Sequence, residues 1–179
     1  IELGRGRLIE TPTSLVERLL FNQSDSDPAL GEARSDPGRP HPFLADGRVR
    51  RALGLAIDRR ILATAFYQRG IAGQATCELV EMAPYNERAL LHGGRACEPD
   101  PAEARRLLEA AGWRIGADGI REKNNLKLRV VLISTVKPAR QRAQELIREA
   151  WSAVGVAVEL RSIEAPRFFG SGPDSAGQF

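Results

Sequence analysis

RVRRALGLAIDRRILATAF, residues 48–66, predicts two consecutive helices that organise the rest of the chain. Its apolar residues recur at helical spacing and form one stripe with arginines around it. Asp58 interrupts the pattern, and its carboxylate can accept hydrogen bonds from the free N–H groups of a new helix. The pattern therefore predicts helices at about 47–57 and 59–68, the second ended by Gly70. The stripe of the first helix comprises Val49, Ala52, Leu53, Ala56 and Ile57.

A third helix is predicted to begin after Asp100. Asp100 is a good N-cap, Pro101 occupies the first helical position, where no N–H is needed, and Glu103 can reach back as in a capping box. Gly112 ends the helix in the left-handed conformation, and Trp113 is expected to pack back on the last turn. The buried stripe of this helix comprises Ala104, Leu107, Leu108 and Ala111.

A β-hairpin is predicted around Asn124 and Asn125, because both residues tolerate positive φ. They join strands expected at 120–123 and 126–134. Residues 116–123 lack the alternating oxygen ligands of a calcium loop. They are therefore interpreted as a turn that leads into the first strand of the hairpin.

A strand–helix–strand unit follows the hairpin. Residues 128–133 are rich in branched apolar side chains, an amphipathic helix runs from about Pro138, and Trp151 lies on its apolar face. Gly155 ends this helix, and residues 156–160 alternate as in a strand. Short links of this kind place the two strands parallel to each other. The predicted fold class is therefore α/β, a mixed sheet with packed helices.

The sequence of residues 1–46 predicts one strand and one long loop. Residues 15–22 alternate and then form an apolar run, which is typical of a strand. Residues 23–41 are dense in Asp, Ser, Gly and Pro, so they are predicted to form an exposed loop without a core of its own. Phe43, just beyond this loop, is expected to pack against the paired helices.

The composition is ordinary for a globular domain. The chain has 179 residues, of which 42% are hydrophobic and 27% charged, and this is enough for one domain with a real core. The net charge of +3 does not indicate nucleic-acid binding, because basic and acidic residues are interleaved and aromatic residues make up only 6%. The many arginines are interpreted as a solvated surface. No apolar run approaches the length of a membrane span.

Cys77 and Cys97 are the only cysteines, and they lack the CxxC spacing of metal and redox sites. They are predicted to form a disulfide that closes a loop region rich in Pro and Gly, which implies an oxidising compartment; two free buried thiols are the alternative. His41 and His92 stand apart from any nucleophile or metal-binding pattern. No catalytic residue, metal site or cofactor is therefore predicted.

Four motifs occur together in this chain. They are an FN pair, RVRRALGLAIDRRIL, DPAEARRLLEAAGW, and DGIREK followed by a hydrophobic strand. Each is similar to a segment of the family 5 extracellular solute-binding proteins, the peptide- and nickel-type receptors of ABC importers, and the four follow the family's order. The chain resembles this family from about residue 15 to residue 179.

The resemblance implies one lobe of a two-lobed receptor that closes on its ligand by a hinge motion. Residues 1–179 are expected to be a single domain, the second lobe alone, from a larger protein. The expected parts are a strand and long loop (1–46), a helical part with the possible disulfide (47–113), a hairpin and βαβ unit (114–169) and an open end (170–179).

The resemblance also implies binding rather than catalysis. The expected function is capture of peptides or related small solutes at the periplasmic or extracellular face of the cytoplasmic membrane. The expected partners are an ABC transporter permease and lobe I of the same polypeptide, which would complete the ligand cleft.

Three residues are candidate ligand contacts. Asn22 and Gln23 are expected to face the cleft, with a plain strand end as the alternative. Tyr85 is a candidate groove residue, with a tyrosine that covers the core of its own loop as the alternative.

A competing function is a stand-alone protein-interaction module that docks a partner through its basic helices. Free thiols in place of the disulfide would favour that module.

Overall fold

The computed structural model describes residues 17–33, 36–66 and 98–170. These residues form five α-helices and five strands, together with a short stretch of 3-10 helix at Pro28–Ala33. The helices are α1 (Gly47–Leu55), α2 (Arg59–Phe66), α3 (Pro101–Ala110), α4 (Pro138–Ser152) and α5 (Ala165–Phe169). The strands are β1 (Arg114–Ile115), β2 (Arg121–Lys123), β3 (Leu126–Lys127), β4 (Arg129–Thr135) and β5 (Ala157–Ile163).

The two predicted consecutive helices are confirmed as α1 and α2. The Asp58 carboxylate accepts from the N–H of Arg60 at 2.9 Å, which is the predicted cap at the start of α2. Asp46 caps α1 in the same way, accepting from the N–H of Arg48 at 2.8 Å. Helix α1 ends two residues earlier than predicted, and the predicted end of α2 at Gly70 lies outside the described residues.

The predicted ends of α3 are confirmed. Asp100 accepts from the N–H of Glu103 at 2.8 Å. Gly112 follows the helix with φ of +91°, and the N–H of Trp113 donates to Leu108 O at 2.9 Å. This is the left-handed helix ending that the Gly-Trp pair predicts, and it buries the Trp113 ring.

The capping box predicted for α3 is not formed, and tertiary contacts explain why. The N–H of Asp100 donates instead to Leu55 O, at the end of α1, at 2.8 Å. The Glu103 carboxylate lies 2.9 Å from the guanidinium of Arg106, one turn further along its own helix. The donor that a capping box would satisfy is therefore used to join α3 to α1.

The predicted hairpin is confirmed, but its second strand is divided. Asn124 and Asn125 have φ of 51° and 63°, and β2 pairs antiparallel with both β1 and β3. At Leu128 the chain passes from one sheet to the next. Its N–H donates to Arg121 O in the hairpin at 2.7 Å, and its carbonyl accepts from Ala157 of β5 at 3.0 Å. The predicted strand 126–134 is thus β3 and β4 on either side of Leu128.

The predicted βαβ unit is confirmed as β4, α4 and β5. The two strands are parallel over their full length, in a register that runs from Arg129 opposite Ala157 to Thr135 opposite Ile163. Helix α4 contacts both strands. The mixed α/β fold class is correct, although the parallel and antiparallel strands belong to two sheets rather than one.

The strand predicted at 15–22 is not found in the part of it that the structure describes, residues 17–22. Leu19 and Phe21 pack against the core while Leu20 is 78% exposed, so the alternation is real. It is satisfied by side-chain packing, because the Phe21 ring lies 6.4 Å from the ring of Trp151 on α4. The alternation therefore reflects one-sided burial of these residues, and the prediction of a strand is wrong for residues 17–22.

One hydrophobic core joins the helices to the parallel strands. It is built from the apolar stripes of α1, α3 and α4 and the inward side of β4, as the periodicity predicts. Phe43 belongs to it and lies edge-on to Trp113, with ring centroids 5.8 Å apart. Its largest aliphatic and aromatic members are Phe43, Leu53, Ile57, Leu108, Trp113, Leu128, Leu132, Ile147 and Trp151.

Several cations satisfy the carbonyl groups at helix ends, which corrects the interpretation of the arginines as only a solvated surface. Arg48 donates to Ala110 O at the end of α3 at 2.9 Å, and Lys123 donates to the next carbonyl at 2.8 Å. Arg105 donates to Ala153 O at the end of α4 at 3.1 Å. Cations at these positions also oppose the partial negative charge of a helix C-terminus.

Replacing Gly155 by alanine is expected to destabilise the fold more than replacing Gly119. Both glycines have positive φ, +86° and +76°, so alanine is strained at either position. A Cβ at position 155 would lie 2.6 Å from Ile115 Cδ1 and 2.9 Å from Arg121 Cγ, whereas at 119 it would meet nothing within 4 Å. We expect losses of about 1–2 kcal/mol for G119A and about 2–5 kcal/mol for G155A. Urea unfolding of both variants measures the difference, and equal losses would contradict the overpacking.

Candidate functional site

Asn22 forms a tight local turn just before the long loop. Its side-chain Oδ1 accepts from the N–H of Ser24 at 3.1 Å and from the Ser24 hydroxyl at 2.8 Å. The side-chain amide nitrogen is left as the group that can donate to a ligand, since it contacts no acceptor in the described part of the chain. Gln23, at the centre of the turn, is exposed.

The long loop is closed at its base by backbone hydrogen bonds. Gln23 O accepts from the N–H of His41 at 2.8 Å, and the N–H of Asp25 donates to Arg39 O at 2.8 Å. The residues between these two bonds form a single antiparallel bridge. The predicted exposed loop therefore has a fixed base, and Asn22 and Gln23 lie at that base.

His41 links the base of the loop to the core. Its Nδ1 accepts from the backbone N–H groups of Phe43 and Leu44, at 3.3 and 3.1 Å. Its ring lies edge-on to the Phe43 ring with centroids 4.4 Å apart, and Phe43 in turn packs on Trp113. Burial lowers the pKa of His41 below its usual value of 6.5, and the nearby Asp25 carboxylate opposes this effect.

Two of the predicted site residues lie in the described part of the chain. Asn22 and Gln23 are adjacent in one ordered turn. Tyr85 and the predicted disulfide partners Cys77 and Cys97 lie outside the described residues. Their roles stay predictions.

An apolar groove lies between α2, α4 and the start of α3. Its volume is about 330 Å³. It is lined almost entirely by apolar side chains, with Asp58 and Glu149 as its charged members, so it lacks the convergent polar groups that orient a solute. The lining residues are Ala56, Ile57, Asp58, Ile61, Leu62, Pro99, Pro101, Leu146, Glu149 and Ala150.

Gln144 is a buried polar residue that the sequence interpretation omitted. Its Nε2 donates to Leu132 O of β4 at 2.7 Å and to Arg161 O of β5 at 2.9 Å, so it ties α4 to both strands. Gln144 precedes Ile147 and Trp151 by three and seven positions, which is the spacing of a helix face. That spacing places Gln144 on the buried face of α4. Because glutamine is polar, it does not stand out in a search for an apolar stripe.

Residues 17–33, 36–66 and 98–170 contain no group of three or more His, Cys, Asp and Glu side chains placed to hold a metal ion. In the same ranges, every helix is too short or too polar to cross a membrane.

The architecture is that of a mixed α/β part of the periplasmic binding proteins. Residues 2–177 match the middle part of the bacterial extracellular solute-binding proteins, family 5, and the chain belongs to this family. Its members are the solute-binding proteins of ABC importers, and their function is binding rather than catalysis. No curated protein matches the chain at a significant level.

Three solved structures illustrate the shared fold. The oligopeptide-binding protein of Thermus thermophilus, complexed with a pentapeptide, is 28% identical with a TM-score of 0.57, over 70% of this chain and 21% of that one. NikA from Brucella suis, in complex with Fe(III)-EDTA, is 27% identical with a TM-score of 0.54, over 70% and 24%. NikZ from Campylobacter jejuni, in complex with Ni(L-His), matches at the level of the fold, with 23% identity, a TM-score of 0.55, and coverage of 74% and 25%. The matched part is thus a quarter or less of each of these structures.

Proposed function

We propose that this chain is one lobe of the substrate-binding component of an ABC importer. It supplies one half of a cleft that captures peptides or related small solutes outside the cytoplasmic membrane, and lobe I of the same polypeptide supplies the other half. The loaded receptor then delivers its solute to the transporter permease. The observation that carries this proposal is the family match over residues 2–177.

The turn at Asn22 and Gln23 is proposed as a ligand contact. A peptide main chain presents carbonyl groups and N–H groups, which must be bonded when the cleft closes and removes water. The Asn22 oxygen accepts from Ser24, which leaves the amide nitrogen as the group that can donate to such a carbonyl. The exposed Gln23 amide can both donate and accept.

Two further features complete the proposal. Tyr85 is proposed as a groove residue that contacts the solute. A disulfide between Cys77 and Cys97 is proposed to close the intervening segment, and it fits the oxidising compartment in which such receptors work.

Calorimetry of the full-length parent protein tests the proposed function. The probes are a panel of di- to nonapeptides and a panel of metal chelates, including Fe(III)-EDTA and Ni(L-His). We expect saturable binding of at least one solute by the full-length protein and undetectable binding by residues 1–179 alone, since half a cleft buries little of a ligand. Submillimolar affinity of this chain alone would contradict the half-cleft, and no binding to the full-length protein would contradict the solute class.

The variant Asn22→Asp tests the ligand contact in the same experiment. Aspartate keeps an oxygen that accepts from Ser24, so the turn is retained, but it replaces the donating amide nitrogen by a second acceptor. We expect the affinity of the full-length protein for its solute to fall about tenfold or more, with an unchanged melting temperature. Unaltered affinity would show that Asn22 does not donate to the solute.

A further inference from the structure

His41 is held in a state that a proton would disrupt. Its Nδ1 is an acceptor for two backbone N–H groups, those of Phe43 and Leu44, at 3.3 and 3.1 Å. Only an imidazole with a free lone pair on Nδ1 can accept these bonds, whereas the imidazolium carries an N–H at both nitrogens. Proton uptake therefore converts two attractive contacts into repulsions between donors.

We propose that His41 is an acid-sensitive latch, which in its neutral form fixes the base of the loop at residues 23–41 to the start of α1 and releases it when protonated. The backbone of the same residue closes the loop, because its N–H donates to Gln23 O at 2.8 Å. One residue thus holds the loop base through its main chain and the approach to α1 through its side chain. Loss of the side-chain bonds detaches the His41 ring from the N–H groups of Phe43 and Leu44, whereas Arg50 continues to hold Leu44 O and Ala45 O at the start of α1, at 2.7 and 2.8 Å.

The surroundings of His41 favour the neutral form. The ring is half-buried and packed on the Phe43 ring, which carries no charge. Asp25, across the loop base, is the charged side chain that acts on the imidazole among the described residues. It favours the protonated form, but burial is the larger effect, so the pKa of His41 is lowered. The stabilisation that the neutral ring provides is therefore complete above the unfolded-state pKa of 6.5 and is lost as the pH falls through the lower folded-state pKa.

The latch connects acidity with the proposed ligand contact. Gln23 accepts the His41 N–H, and Asn22 precedes it in the same turn. Release of the latch at low pH is expected to loosen this turn and weaken solute capture. This consequence rests on the proposed function, whereas the release itself is measured without a solute and can be judged separately.

Amide hydrogen exchange of residues 1–179 by NMR tests the latch directly. The chain has two histidines, so the variant His92→Gln leaves His41 as the single titrating imidazole. Between pH 7.5 and pH 5, we expect the protection factors of the Phe43 and Leu44 amides to fall about tenfold as the His41 ring signals shift. A tenfold change corresponds to the net free energy of one hydrogen bond. Constant protection of both amides while His41 titrates would overturn the proposal.

A matched pair of variants separates the latch from general acid effects. In His92→Gln with His41→Asn, the asparagine Oδ1 takes the place of Nδ1 as acceptor but does not titrate. We expect the protection factors of this double variant to be insensitive to pH over this range. Between pH 7.5 and pH 5, its Tm should fall by about 2–4 °C less than the Tm of His92→Gln alone. An equal pH response in the two proteins would show that carboxylates cause the loss of protection, and it would contradict the proposal. His41→Phe, which has no acceptor, is expected to show low protection at both pH values.

Discussion

Replacing Arg121 by methionine is expected to lower the free energy of unfolding by about 2–5 kcal/mol. Arg121 is 1% exposed, and its guanidinium donates to Val154 O and Trp113 O, both at 2.8 Å. These carbonyls follow the ends of α4 and α3, where no intrahelical N–H is available for them. Methionine fills a similar volume but carries no donor, so both acceptors stay buried without a partner. Urea unfolding followed by circular dichroism measures the loss.

Two control variants distinguish the carbonyl bonds from the ion pair of Arg121. Its guanidinium also lies 3.3 Å from Glu109, whose side chain is 48% exposed, so Glu109→Gln should cost less than about 1 kcal/mol. Arg106→Met removes a surface arginine that is 71% exposed and should cost equally little. If Glu109→Gln were as damaging as Arg121→Met, the ion pair rather than the two carbonyls would stabilise this site.

Local chemistry made the helix and turn boundaries predictable. The caps at Asp58 and Asp100 and the left-handed position at Gly112 are confirmed, and Gly155, which was predicted to end a helix, also has positive φ. Each depends on residues within four positions along the chain, so the sequence contains all the information that is needed. The same holds for the asparagine pair in the β2–β3 turn.

Long-range contacts determine the features that the sequence did not predict. The N–H of Asp100 is used by Leu55, 45 positions earlier in the sequence, in place of the expected capping box. Arg121 is buried although its type and the pattern around it indicate a surface strand. Leu128 divides one expected strand because its two backbone groups bond in different directions, to Arg121 and to Ala157. In each case tertiary packing determines the contacts of the residue, and no local sequence pattern indicates them.

The candidate site was predictable only in part. The sequence predicted a strand end or a cleft-facing position at Asn22, whereas the turn that its side chain forms with Ser24 was not predicted. Nothing in the local pattern indicated that His41 would accept two backbone N–H groups, because an imidazole in a polar segment has the same appearance whether it is solvated or bonded. Ligand contacts also require the geometry of both halves of a cleft, and this chain is expected to provide one.

Replacing Trp151 by alanine is expected to lower the free energy of unfolding by about 3–5 kcal/mol. The indole is 3% exposed, and the Phe21 ring packs against it. Its Nε1 donates to Leu53 O at 2.9 Å, which satisfies one of the last carbonyls of α1. Two residues further on, Leu55 O accepts from the N–H of Asp100, so the last turn of α1 is joined both to α4 and to the start of α3. Alanine removes the ring that Phe21 packs on and the donor together.

The phenylalanine variants separate these two contributions. Trp151→Phe keeps most of the ring but leaves Leu53 O without its donor, whereas Trp113→Phe shortens a second buried indole whose Nε1 has no acceptor among the described residues. Both changes leave a similar small cavity, so the difference between them isolates the hydrogen bond. We expect Trp151→Phe to cost about 1–2 kcal/mol more than Trp113→Phe in chemical unfolding. If the two variants lose the same amount, Trp151 acts through its volume alone, and the tie between α4 and the end of α1 contributes no net stability.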